Sequence, residues 1–95
     1  MSAGDAASGG GADAVVVVDA RGLRCPLPVI RLAAAARDLP AGTLVTVLST
    51  DPAARHDVPA WARMRGHTTV GEAGEAQGAG GATTWSITVR LGTSA

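Results

Sequence analysis

The change of apolar period along the first half of the chain constrains the fold more than any other feature of the sequence. Val15, Val16, Val17 and Val18 form an unbroken β-branched run between Gly-rich and Arg-Gly segments, the pattern of a strand. From Pro26 onward the period becomes helical. Val29, Leu32, Ala33 and Ala36 fall at i, i+3, i+4 and i+7, with Arg31, Arg37 and Asp38 off that stripe. Pro40 and Gly42 stop the helix near Asp38, and Leu44, Val45, Val47 and Leu48 resume a strand. A strand, a helix and a strand in such close succession predict a right-handed parallel βαβ unit.

The second half is built on turn signals. Thr50-Asp51-Pro52 reads as a helix start or turn and Asp57-Val58-Pro59 as a second one, since Asp caps and Pro suits a first helical turn. The expectation is one helical turn followed by a helix over residues 57–65. Val58, Trp61 and Ala62 would face the sheet, with Met64 at its margin and Gly66 at the C-terminal cap. Residues 68–73 form a third strand, and the glycine-rich residues 74–82 a loop. Trp85, Ile87, Val89 and Leu91 alternate with Ser86, Thr88 and Arg90, the clearest half-buried strand in the chain. The order βαβαββ predicts an α/β (α+β) two-layer sandwich, one mixed four-stranded sheet with two helices packed on one face. Residues 1–13 are Gly, Ala, Ser and Asp behind Met1, too poor in apolar area to offset the entropy of ordering, and read as a flexible tail. Residues 14–92 are then the single folded domain.

Charge and cysteine count narrow the function. Eight basic residues, all arginine, balance eight acids to a net charge of +0, so no broad positive field is present to attract nucleic acid or an anionic membrane. The valine run is too short for a membrane span or signal-peptide core. With 1 cysteine in 95 residues, an internal disulfide framework and a Cys-rich zinc site are both excluded, and a lone thiol points to a reducing, cytoplasmic setting.

That cysteine lies in Gly22-Leu23-Arg24-Cys25-Pro26-Leu27-Pro28, where the first strand hands over to the first helix. The spacing places Cys25 at the N-cap and Pro26 at the first helical position, with Pro28 tolerated in the same turn. A sulfur so placed faces unpaired amides and the positive end of the helix dipole, which favour thiolate, and Arg24 adds a positive charge. A thiolate attacks persulfide or disulfide sulfur, so the arrangement suits sulfur exchange. The competing reading is a small buried, inert cysteine.

Asp19-Ala20-Arg21-Gly22-Leu23-Arg24-Cys25-Pro26-Leu27-Pro28 resembles the signature of the TusA/SirA-like family, a strand-end Asp followed by G-L-x-C-P-x-P. Leu39-Pro40-Ala41-Gly42, Thr50-Asp51-Pro52-Ala53 and Asp57-Val58-Pro59-Ala60-Trp61 resemble the family pattern in order and spacing. The resemblance runs from Val16 to Leu91. It implies the βαβαββ sandwich and a sulfur carrier with Cys25 as the persulfide site and no cofactor. It also implies a donor such as a cysteine desulfurase or rhodanese, and an acceptor protein in tRNA thiolation, molybdenum-cofactor or other sulfur metabolism. Such a carrier is a sulfurtransferase-type shuttle rather than a self-sufficient enzyme. Some members carry a second cysteine where this chain has Ala62, so a persulfide on Cys25 has no internal resolving thiol.

Other residues are weighed against plainer roles. Arg21, Arg55 and His56 are candidates for a rim around the sulfur, at the shared edge where a parallel βαβ unit brings its strand ends together; ordinary solvated surface is the alternative. His56 and His67 with Cys25 lack zinc-ligand spacing, so no metal site is expected. Asp19 and Asp51 read as turn residues. A second functional class stays open, a non-catalytic interaction module with a structural cysteine, using an apolar patch from Trp61, Trp85 and the valine run.

Overall fold

The computed structural model describes residues 15–76 and 83–92. The expected tail over residues 1–13 and the later part of the expected loop, residues 77–82, lie outside them. The elements follow as β1 (Val15–Ala20), α1 (Leu27–Ala36), β2 (Leu44–Ser49), α2 (Ala54–Arg65), β3 (Thr68–Ala76) and β4 (Thr83–Arg90), the βαβαββ order that the sequence predicts. The sheet runs β1-β2-β4-β3. β1 and β2 are parallel, as a βαβ unit requires, and β4 is antiparallel to both β2 and β3.

Strand alternation decides which side is covered. Val18, Val47 and Ile87 lie in one cross-strand row and Val16, Val45 and Val89 in another, and all point to the helix side. Leu32 of α1 and Ala54, Val58 and Ala62 of α2 close over them to form the core. The opposite parity puts Val15 and Val17 on the open face, where the Thr46 and Thr88 hydroxyls meet at 2.7 Å. Trp61 and Trp85 pack against the core from the helix side. The single patch of both tryptophans with the valine run is therefore not formed, because the sheet lies between them.

Three local expectations are corrected. α2 is one continuous helix from Ala54, and Pro59 sits inside it. The effective start signal is Asp51, whose Oδ1 accepts the Ala53 N–H at 3.0 Å. Pro59 removes one i→i−4 hydrogen bond without ending the helix. Secondly, β3 extends through residues 74–76, paired with β4, so the predicted loop begins later. Gly74 is accepted there because the Trp85 indole occupies the space where a Cβ would sit, and an irregularity between Thr69 and Gly71 absorbs the register shift. Thirdly, Met64 is not marginal but 81% exposed. Gly66 caps α2 as expected: at φ +79 it turns the chain, and the His67 N–H donates to the Ala62 carbonyl at 2.7 Å. Among the described residues, no helix is long and apolar enough to cross a membrane.

Past β4, Gly92 lies against the turn at Gly66, and a Cβ on Gly92 would collide with the Gly66 carbonyl. Gly92→Ala is expected to destabilise the fold by about 1–3 kcal/mol, the range for overpacking against backbone. Gly71→Ala, with open space around its Cβ, should stay within about 0.5 kcal/mol of the parent. Urea midpoints of the two variants check this.

Candidate functional site

Parallel β1 and β2 end at the same edge of the sheet, so the loops that leave them are neighbours. The first loop turns at Gly22, at φ +82, with the Leu23 N–H donating to the Ala20 carbonyl at 3.2 Å. The second loop holds it in place. Thr50 Oγ1 accepts the Gly22 N–H at 2.9 Å, and Asp51 Oδ2 accepts the Cys25 N–H at 3.0 Å. Asp51 is itself seated on buried Ser49, whose Oγ accepts the Asp51 N–H at 3.1 Å. One carboxylate thus fixes Cys25 with one oxygen and the entry of α2 with the other.

The cap is one residue later than the sequence predicts. Pro26, not Cys25, takes the N-cap of α1, and Pro28 lies buried within the first turn. Cys25 precedes the cap with its own N–H committed to Asp51. Its thiol is half-buried and packs against the core. Burial pushes the thiol pKa up from 9.0 to about 11, reinforced by a hydrogen bond to Asp57 and by the negative charges of Asp57 and Asp51. The resting sulfur is therefore a protonated thiol. The expected thiolate support is reversed for a physical reason. Asp51 and Asp57 flank the start of α2, where the helix dipole favours acids, and they offset the positive field that the sulfur would otherwise feel. Arg24 is exposed, and its charge acts on Asp51, whose pKa is lowered chiefly by the backbone N–H groups of Cys25 and Ala53.

The rim candidates do not assemble around the sulfur. Arg21 folds back on Asp19 through paired bonds of 2.9 and 2.7 Å, which hold the Asp19 pKa at about 2. Arg55 bonds Glu72 at 2.6 Å and lies over the Trp85 ring at 4.4 Å, directed at the β3–β4 side. His56 is exposed and is not among the groups acting on the thiol. The residues that do meet Cys25 are Asp51 and Asp57, both read from sequence only as turn or cap. The signal that finds Asp51 is topological: it is the acid at the end of the strand parallel to the one leading into Cys25.

Comparison with known proteins matches residues 16–90 to the family described as sulfurtransferase TusA. The sulfur carrier protein TusA of Pseudomonas savastanoi pv. phaseolicola is 48% identical over 59 residues, covering 62% of this chain and 70% of that protein. The putative sulfur carrier protein YrkF of Bacillus subtilis is 36% identical over 64 residues, 67% of this chain but 35% of that longer protein. Among solved structures, the SirA-like protein of Desulfitobacterium hafniense superposes with a TM-score of 0.60 at 29% identity, covering 81% of this chain and 97% of that one.

The acidic surroundings of the thiol give a pH signature. Alkylation of Cys25 by iodoacetamide should rise with a midpoint near the raised pKa of about 11, and Asp57→Asn should lower that midpoint and speed alkylation at neutral pH. Because the folded pKa lies above the ordinary value of 9.0, the thiol's contribution to stability is complete below about pH 9 and is lost as pH rises toward 11. Urea unfolding across that window should show a loss that Cys25→Ser lacks.

Proposed function

Because this chain belongs to the TusA family, matched over residues 16–90, we propose that it is a sulfur carrier that holds sulfane sulfur as a persulfide on Cys25. The observation that carries this reading is the seating of Cys25 on a proline-stiffened loop at the sheet edge, its backbone tied to Asp51. In the loading step the Cys25 thiol loses its proton and its sulfur attacks the terminal sulfur of a donor persulfide. The donor's S–S bond breaks as the new one forms, and the donor's thiolate leaves and takes up a proton. Discharge repeats the exchange in reverse order on an acceptor.

The raised thiol pKa determines where loading occurs. At pH 7 a thiol of pKa about 11 is ionised in about one molecule in ten thousand, so the unpartnered carrier is a poor nucleophile. A donor becomes effective by bringing a base, or a cation that offsets Asp57 and Asp51, into the docked complex. With 1 cysteine in the chain, discharge also needs a partner's nucleophile. A cysteine desulfurase or rhodanese fits the donor role, and thiolation of tRNA or molybdenum-cofactor assembly fits the acceptor side, in a reducing cytoplasm.

A second reading is favoured by the same half-buried, protonated thiol: an interaction module with a structural cysteine. Incubation with a cysteine desulfurase and free cysteine separates the two. The carrier should gain the mass of one sulfur on the intact chain and lose that gain in Cys25→Ser. Absence of added sulfur, or addition that persists in the variant, selects the structural module.

A further inference from the structure

The end of the molecule opposite Cys25 carries a second feature that the sulfur site leaves unused. α1 and α2 both start at the sulfur edge and finish at Ala36 and Arg65. Between their last turns and the chain leaving β4 lies a cavity of about 340 Å³, at the lower end of the size range of small-ligand sites. Ala33 and Leu39 give it apolar surface, Trp61 and His67 an aromatic wall, and Arg37 and Arg65 a cationic rim. Among the described residues, no acid lines it.

The polar side chains of this cavity, Arg37, Arg65 and His67, offer donors beside the carbonyl ends of α1 and α2. His67 Nδ1 accepts the Gly92 N–H at 2.9 Å, so in the neutral ring the proton resides on Nε2, which remains as a donor. Burial and the neighbouring Arg65 lower the His67 pKa, which favours that neutral form. The imidazole is braced by Trp61, ring centroids 4.8 Å apart and tilted by 39°. Among the described residues, neither Arg37 nor Arg65 takes part in a salt bridge. Two guanidinium groups and an N–H beside an indole wall match an oxyanion carried on a flat ring. The guanidinium suits the planar, two-oxygen head, and the indole suits the ring.

We propose that this cavity binds a small ring-bearing organic oxyanion, its carboxylate or phosphate at Arg37, Arg65 and His67 and its ring against Trp61. α1 spans its 10 residues between this cavity and the sulfur loop, about 15 Å at the helical rise. The ligand therefore does not touch Cys25, and binding does not depend on whether that residue carries sulfur.

Titration of the full chain with benzoate, phenyl phosphate, inorganic phosphate and benzyl alcohol, followed by amide and indole NMR shifts, tests this. Benzoate or phenyl phosphate should shift the Trp61 indole and Gly92 amide signals while Trp85 stays still, and whichever binds more tightly identifies the head group. Benzyl alcohol and inorganic phosphate, each lacking one half of the ligand, should bind at least about tenfold more weakly. R37Q/R65Q, with its dispersed spectrum retained, should lose about tenfold or more in affinity, and Cys25→Ser should bind as the parent does. The proposal is overturned if neither ring anion moves Trp61 and Gly92, if benzyl alcohol or inorganic phosphate binds equally well, or if R37Q/R65Q is unaffected. None of these outcomes bears on sulfur loading at Cys25, which the desulfurase experiment reads separately.

Discussion

The carboxylate of Asp51 is the interaction on which the sulfur edge depends. It accepts the N–H of Cys25 from one loop and that of Ala53 from its own, so the two crossings of the βαβα unit are locked to each other rather than merely adjacent. Its own backbone N–H rests on Ser49, a buried hydroxyl at the end of β2. Removing the carboxylate would leave the part-buried Cys25 amide without its partner and pass the exposed Ala53 amide to water. The position of the sulfur, the start of α2 and the end of β2 are thus one hydrogen-bonded unit.

The electrostatics of that unit run against simple intuition about a nucleophilic cysteine. Two helices begin near the sulfur, and each helix start is a region of positive potential. The chain answers that potential with acids instead of with the thiolate, and the sulfur keeps its proton. A raised thiol pKa keeps the thiolate fraction low, and thiolate is the form on which oxidation and alkylation act. Under the proposed function, reactivity then belongs to the complex with a partner more than to the carrier alone.

How much of this was legible in the sequence follows from the range of each interaction. The period of Val29, Leu32 and Ala36 and the alternation of Ile87 and Val89 are local patterns set by burial, and they place α1, β4 and the layer arrangement. The start of α2 misleads, because two start signals compete: Asp57-Val58-Pro59 carries the same residues as a real helix start, while the earlier Asp51, bonded to the Ala53 N–H, decides the boundary. β3 is under-read for a related reason. Its glycines remove the apolar alternation, and Gly74 is strand only because Trp85 lies over it. At the sulfur, Cys25 stands out from composition and neighbours alone, whereas Asp57 becomes visible only when a continuous helix turns it toward the thiol. Arg21 and Arg55 were drawn to the wrong place because their nearest acids, Asp19 and Glu72, claim them first.

The pairing of Arg55 with Glu72 and Trp85 has a mechanical meaning as well. Arg55 belongs to the first turn of α2, two residues before Asp57, while Glu72 lies on β3, the strand at the outer edge of the sheet. Through this clasp the edge strand meets the helical turn whose acid, after burial, adds to the proton affinity of the sulfur. The edge of the sheet farthest in strand order from Cys25 is thereby joined, through the first turn of α2, to the acid beside the sulfur.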